Sequence, residues 1–189
     1  MIVGIIGSGG REHAICTKIK ESPKISKIFC IPGNAGTKKI AENIDIKIDD
    51  FKSIKDFCVK SKIDLLIVGP EQPLVDGIVD YMEGSKVKVF GPNKIASQLE
   101  GSKIFTKKIC KKYKIPTANF KIFENLNDAK EYLANSKYPI VIKSDGLAAG
   151  KGVYICKNYA EGEIAVKEIF GGKFGIAKEL LVEEFLSGE

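Results

Sequence analysis

Two glycine-rich stretches carry the residues best suited to chemistry. The first, Gly7-Ser8-Gly9-Gly10-Arg11-Glu12-His13, follows the apolar run Ile2-Val3-Gly4-Ile5-Ile6 directly and opens a helical pattern. A strand that turns on glycines into a helix offers free backbone N–H groups and the positive end of the helix dipole, a cradle for phosphate. Gly9 and Gly10 let the backbone approach a ligand closely, and Arg11 adds a planar fork of donors that matches phosphate oxygens. A dinucleotide-binding G-x-G-x-x-G needs glycine where Glu12 stands and an acid after the second strand, which instead runs into Pro32-Gly33-Asn34. NAD is therefore disfavoured. His13, in the first turn of the helix, is expected to pack or cap locally and is given no catalytic role.

The second stretch begins at Lys143, at the end of the apolar run Pro139-Ile140-Val141-Ile142, and continues Ser144-Asp145-Gly146-Leu147-Ala148-Ala149-Gly150-Lys151-Gly152. A Walker-type P-loop needs four residues between its first glycine and its Gly-Lys, then Ser or Thr and a helix. Three intervene here, Gly152 follows Lys151 and a strand comes next, so the stretch reads as a hairpin tip. Small residues suit a flap that closes over a polyphosphate, with Lys143 and Lys151 supplying compact positive charge. Further on, Glu183 and Glu184 sit side by side in a strand pattern, so pleating should send their carboxylates to opposite faces. They are not a paired acid and base; the strand end could line a base pocket or be a solvated edge. The lysines between 103 and 114 are expected to form a solvated helix face.

The elements that must position these residues alternate short Ile/Val-rich runs with helical periods. Strands are predicted at 2–6, 27–31, 44–48, 65–68 and 87–90, with helices at 11–20, 51–60 and 73–83 between them. That alternation implies α/β class with an open parallel sheet, which binds ligands at the carboxyl ends of its strands. From about residue 101 the pattern changes: a helix at 101–113 ended by Pro116, a strand at 118–123, a helix at 126–135, strands at 139–143 and 152–156, a helix at 160–170 and a strand at 180–185. This second part reads as a compact α+β module.

Composition narrows the function classes. The chain has 189 residues, 44% of them hydrophobic and 29% charged, enough for a sizeable core. Its apolar runs fall far short of the roughly 20 residues of a membrane-spanning helix, and the first residues are too short and too uncharged for a signal peptide. Five cysteines, Cys16, Cys30, Cys58, Cys110 and Cys156, are odd in number and widely spaced, which implies reduced and mostly buried thiols. With His13 the only histidine, a zinc site has no support. These features together imply a cytoplasmic protein. The formal charge of +6 rests almost wholly on lysine, Arg11 being the single arginine, which is unlike a sequence-reading nucleic-acid binder.

Taken as an ordered set, Gly7-Ser8-Gly9-Gly10-Arg11-Glu12-His13-Ala14, Pro32-Gly33-Asn34-Ala35-Gly36-Thr37, Val68-Gly69-Pro70-Glu71, Leu99-Glu100-Gly101-Ser102-Lys103 and the stretch from Lys143 to Val153 resemble the glycinamide ribonucleotide synthetases, a family of ATP-grasp ligases. The resemblance runs the length of the chain. It implies an N-terminal open parallel sheet, a Rossmann-like pre-ATP-grasp substrate-binding domain over 1–101, and an incomplete α+β ATP-grasp domain with its lid over 102–189. The implied reaction joins glycine to 5-phosphoribosylamine through a glycyl phosphate, with ATP and Mg2+ (or Mn2+), in purine biosynthesis, with small-molecule partners and neither nucleic acid nor membrane. Carried over by position, Gly9, Gly10 and Arg11 would hold the sugar phosphate and Glu71 would face the ribose. Lys103 and Lys143 would meet ATP phosphates, Gly146, Gly150, Lys151 and Gly152 would form the lid, and the backbone near Glu183 and Leu186 would meet adenine. The family's metal ligands would lie beyond Glu189, so the chain alone is expected not to turn over. Two alternatives remain at this point: a non-catalytic nucleotide-binding module, or another carboxylate-amine ligase of the same superfamily.

Overall fold

The structure is a computed structural model and describes residues 1–148 and 151–188. The chain divides into two compact units, Met1–Ser97 and Gln98–Glu189, and each is built on its own sheet.

In the first unit, β1 (Ile2–Gly7), β2 (Lys27–Pro32), β3 (Glu42–Asn43), β4 (Leu65–Val68) and β5 (Lys88–Phe90) form a parallel sheet in the order β3-β2-β1-β4-β5. The central strand is apolar throughout because both its faces are covered. Val3 and Ile5 pack with Cys16 of α1 (Gly10–Lys20), whereas Ile6 packs with Ile54 and Cys58 of α2 (Phe51–Lys60). Asp50 caps α2 by accepting from the Ser53 amide at 3.0 Å. All five cysteines are free and four are buried. Burial is the main influence pushing the Cys30 thiol up to about 12 and the Cys58 thiol up to about 11, so neither ionises near neutrality.

Two sequence expectations in this unit are corrected. The alternation of Ile44, Ile46 and Ile48 does not make a strand over 44–48: pairing with β2 is confined to Glu42–Asn43. The Ile44 amide still reaches the Cys30 carbonyl at 2.8 Å, but the Ile46 amide turns back to the Ile44 carbonyl at 2.8 Å and the chain leaves the sheet. The three isoleucines are then held by burial against the core rather than by a ladder. The predicted helix at 73–83 is two helices, α3 (Glu71–Asp76) and α4 (Ile78–Tyr81), divided at Gly77. Gly77 has φ +100 and its amide donates to the Pro73 and Leu74 carbonyls, so it ends one helix in a left-handed conformation that glycine adopts without steric cost.

A helix the sequence reading did not anticipate, α5 (Lys94–Gly101), precedes α6 (Lys103–Tyr113). Ser102 is the N-cap of α6, its hydroxyl accepting from the Phe105 amide at 3.0 Å. The end of α6 is set by Lys114 at φ 55, ahead of Pro116.

The second unit's sheet is antiparallel, ordered β6-β9-β7-β8 from β6 (Phe120–Phe123), β7 (Ile140–Ser144), β8 (Val153–Cys156) and β9 (Leu180–Glu184). One face, with Ile140, Ile142, Leu180 and Val182, is buried beneath α7 (Leu126–Ala134) and α8 (Tyr159–Phe170), which supply Ala129, Leu133, Ala165, Val166 and Ile169. The other face carries Lys143, Val141 and Glu183, since Val141 is in register with Glu183 and side chains two apart share a face. Among the described residues no helix is long and apolar enough to cross a membrane.

Candidate functional site

In the first unit the site lies at the carboxyl ends of β1, β2 and β4. Gly7, at φ +123, turns the chain out of β1, and α1 starts three residues on with Gly9 as its N-cap. The Gly9 amide is already occupied: it donates to Glu12 Oε2 at 2.6 Å. The Glu12 carboxylate is buried, and its Oε1 has no hydrogen-bond partner among the described residues, the nearest cation being Arg11 Nε at 3.7 Å. Two glycines make room for it. A Cβ on Gly69 would lie 2.2 Å from Glu12 Oε1, and one on Gly7 would lie 2.6 Å from Glu12 Cδ. The residue that argued against a dinucleotide fingerprint thus locks the cradle from within.

Asn34 ties the loop after β2 to the same cradle. Its Nδ2 donates to the Ser8 carbonyl at 2.8 Å, and its Oδ1 accepts from the Gly36 and Thr37 amides at 2.7 and 2.9 Å. His13 lies against Gly36, where a Cβ would be 2.8 Å from His13 Cε1. The guanidinium of Arg11 meets Glu71, the first residue of α3. Of the residues singled out from sequence, Gly9, Gly10, Arg11 and Glu71 therefore gather at one end of the sheet. Nothing lies within 4 Å of a Cβ built on Gly10. Glu71 is held below the ordinary carboxylate range first by its own backbone amide and then by Arg11.

In the second unit Lys143 leaves β7 on the face opposite α7 and α8, its Nζ 2.9 Å from Glu183 Oε1. The loop that follows is anchored by Asp145, which accepts from the Ser102 hydroxyl at 2.9 Å and from the Ile104 amide at 3.1 Å at the start of α6. Lys103 donates to the Gly146 carbonyl at 2.8 Å. Burial is the main influence on Lys103 and draws its ammonium below the ordinary lysine value; the Asp145 carboxylate opposes that shift and Lys143 adds to it. Gly146 has φ +88, and Gly152 closes the hairpin through its carbonyl, which accepts from the Ser144 amide at 2.8 Å. Lys151 is exposed, Leu186 is exposed beyond β9, and Gly150 lies outside the described residues.

The expectation of a solvated lysine face over 103–114 is corrected at Lys107, which is only 8% exposed. Its Nζ meets Thr117 Oγ1, the Ala118 carbonyl and Glu183 Oε2. A solvated edge at Glu183 is likewise excluded, because its carboxylate is buried between Lys107 and Lys143 while Glu184 turns outward to Asn119. Glu12, Lys107 and Asp145 were not singled out from sequence as site residues: the partners of Lys107 and Asp145 lie far along the chain, and Glu12, a local capping residue of Gly9, gives no local sign of its fit against Gly69.

A parallel sheet with a glycine cradle, followed by an antiparallel sheet with a lysine-bearing hairpin, places the chain in the ATP-grasp class of folds. The crystal structure of a phosphoribosylamine–glycine ligase from Thermotoga maritima superposes with TM-score 0.79 at 33% identity over 100% of this chain and 45% of that one. An ADP complex of an N5-carboxyaminoimidazole ribonucleotide synthetase shares the fold, with TM-score 0.74 at 22% identity over 100% of this chain and 48% of that one. Residues 1–100 match the family described as phosphoribosylglycinamide synthetase, N domain, and residues 101–189 match the ATP-grasp (A) domain of the same family. The phosphoribosylamine–glycine ligases of Caldanaerobacter subterraneus subsp. tengcongensis and Escherichia coli K12 are 45% and 47% identical over 100% of this chain. The chain belongs to the phosphoribosylglycinamide synthetase family. It spans less than half the length of these relatives, 46% and 45% respectively.

Proposed function

We propose that this chain supplies the sugar-phosphate cradle and part of the nucleotide site of a cytoplasmic ligase. That enzyme uses ATP to activate glycine as an acyl phosphate and passes the glycyl group to the amine of 5-phosphoribosylamine, giving glycinamide ribonucleotide, ADP and phosphate in purine biosynthesis. The observation that carries the proposal is the pairing of two chemically distinct phosphate-directed loops in a chain of this family: the Gly9, Gly10 and Arg11 cradle with Glu71 beside it, and Lys143 with Lys103 at the Gly146 hairpin.

We assign residues 1–101 to substrate binding and 102–189 to the N-terminal part of the ATP-grasp domain with its lid. Gly9, Gly10 and Arg11 hold the sugar phosphate through backbone N–H groups and a guanidinium, and Glu71 takes ribose hydroxyls as an acceptor. Lys143 and Lys103 neutralise phosphate charge, Gly146, Gly150, Lys151 and Gly152 cover it, and the backbone near Glu183 and Leu186 takes adenine. Positioning and charge neutralisation are what such a phosphoryl transfer asks of a protein. Magnesium or manganese belongs to the proposed reaction, but among the described residues no group of three or more His, Cys, Asp or Glu could hold a metal. Every step assigned to these residues is therefore one of binding or charge placement.

The test is ADP formation by the protein made from its complete reading frame. It should require glycine and phosphoribosylamine together, and Lys143→Ala should raise the ATP concentration needed by about tenfold or more. ADP formation driven by formate or bicarbonate in place of glycine would assign the protein to a different ligase, and unchanged ATP dependence in Lys143→Ala would remove Lys143 from the nucleotide site.

A further inference from the structure

Lys107 is a buried cation with nowhere else to go. Its side chain is 10% exposed; its ammonium donates to Thr117 Oγ1 at 2.7 Å and to the Ala118 carbonyl at 3.1 Å, and it ion-pairs with Glu183 Oε2 at 3.1 Å. The Phe120 ring, with its centroid 5.5 Å from Nζ, adds a further favourable surface for the charge. Lys143 differs: its side chain is 27% exposed, and among the described residues its one ion-pair partner is the other oxygen of the same carboxylate, Glu183 Oε1 at 2.9 Å. Glu183 is 7% exposed and stands between the two ammonium groups, so one buried negative charge is shared by a fixed cation and a more accessible one.

That arrangement bears on how Lys143 can reach a ligand. A buried carboxylate stripped of its counter-ion is costly, and a lone Glu183–Lys143 pair would therefore hold Lys143 against any incoming phosphate. With Lys107 in place, Glu183 keeps a partner when Lys143 turns away. We infer that Lys107 is a positioning residue that acts through Glu183, keeping that carboxylate neutralised so that Lys143 is free to transfer to the phosphates of the nucleotide. The inference rests on the proposal that Lys143 meets nucleotide phosphates, and adds to it a residue that touches no ligand.

Calorimetric titration of ADP and of adenosine into the protein from its complete reading frame, native and substituted, separates this role from simple packing. In Lys107→Met, Glu183 has only Lys143 left, so ADP should bind about tenfold more weakly, equivalent to a coupling of ~1.4 kcal/mol, while adenosine, lacking phosphates, should bind as before. Adding Glu183→Gln to Lys107→Met should restore ADP affinity, because a neutral amide does not trap Lys143. Equal losses of ADP and adenosine binding, or additive losses from the two substitutions, would overturn the inference. If Lys107→Met does not fold, Lys107→Arg, which keeps a positive charge beside Glu183, should bind ADP within about twofold of native, with adenosine binding unchanged; an approximately tenfold loss of ADP binding alone in Lys107→Arg overturns the inference. A native protein that binds neither ligand removes the nucleotide site itself, a result visible before any variant is compared.

Discussion

Arg11 and Glu71, 60 positions apart in sequence, meet at the ligand end of the parallel sheet, with both Nη1 and Nη2 of Arg11 3.0 Å from the same oxygen, Glu71 Oε1. Their side chains are 56% and 43% exposed, so the pair is screened by water and adds little to stability. It fixes the guanidinium against Glu71 at the carboxyl ends of β1 and β4, where the proposed reading has Arg11 meet the sugar phosphate.

Arg11→Met should therefore change the free energy of unfolding in urea by less than about 1 kcal/mol while weakening ribose 5-phosphate binding by roughly tenfold or more. The pH dependence follows from Glu71, whose folded value lies below the ordinary 4.5 through its own amide and Arg11. A depressed carboxylate keeps its pairing above its unfolded value and loses it as pH falls through the folded one, so the Arg11–Glu71 pair is intact at neutrality and released only in acid. Sugar-phosphate affinity that is indifferent to Arg11→Met, followed by calorimetry, would remove Arg11 from the cradle.

Gly69 is the second point at which the cradle can be tested, and here the demand for glycine is steric. Its backbone is not in the left-handed region, yet a Cβ would sit 2.2 Å from Glu12 Oε1 and 2.7 Å from Cδ. Gly69→Ala should cost about 1–3 kcal/mol by overpacking, and the cost should fall sharply in a Glu12→Ala background, where the obstructing carboxylate is gone. Urea denaturation of the four proteins of this cycle measures the coupling. An equal cost of Gly69→Ala in both backgrounds would mean that something other than Glu12 requires glycine there.

Much of the architecture could be read from sequence because it follows from local periods. The Leu65-Leu66-Ile67-Val68 run is β4, and the helix predicted at 51–60 is α2. The errors arose where a nonlocal choice decided the outcome. Ile44, Ile46 and Ile48 have strand alternation, but a strand needs a partner edge, and β2 supplies one only as far as Glu42–Asn43. Gly77 interrupts a helical period that tolerates a single glycine in sequence. In the site, the glycines and terminal lysines were visible because loop chemistry is local. Lys107 and Asp145 were not, because each is defined by a distant partner, Glu183 for Lys107 and the start of α6 for Asp145; the bond of Glu12 back to Gly9 is a local capping pattern, but its fit against Gly69, 57 residues away, is not.

Asp145 allows the anchoring of the hairpin to be separated from the electrostatics of Lys103. Its carboxylate accepts from the Ile104 amide and the Ser102 hydroxyl, satisfying a first-turn donor of α6 that has no intrahelical partner. The same charge opposes the burial-driven lowering of Lys103. Asp145→Asn keeps an acceptor for the Ile104 amide and loses the charge; Asp145→Ala loses both. Asp145→Ala should thus destabilise the protein by about 0.5–2 kcal/mol, as loss of a helix cap does, and speed hydrogen exchange at Ile104, with Asp145→Asn well short of that. Both variants should lower the Lys103 titration midpoint further, since Asp145, the stronger of the two carboxylates that raise it (Glu100 is the other), loses its charge in each, and NMR of the Lys103 side chain reads that shift directly. A midpoint that falls in Asp145→Ala but not in Asp145→Asn would show that Lys103 responds to the position of the hairpin rather than to the charge at its base.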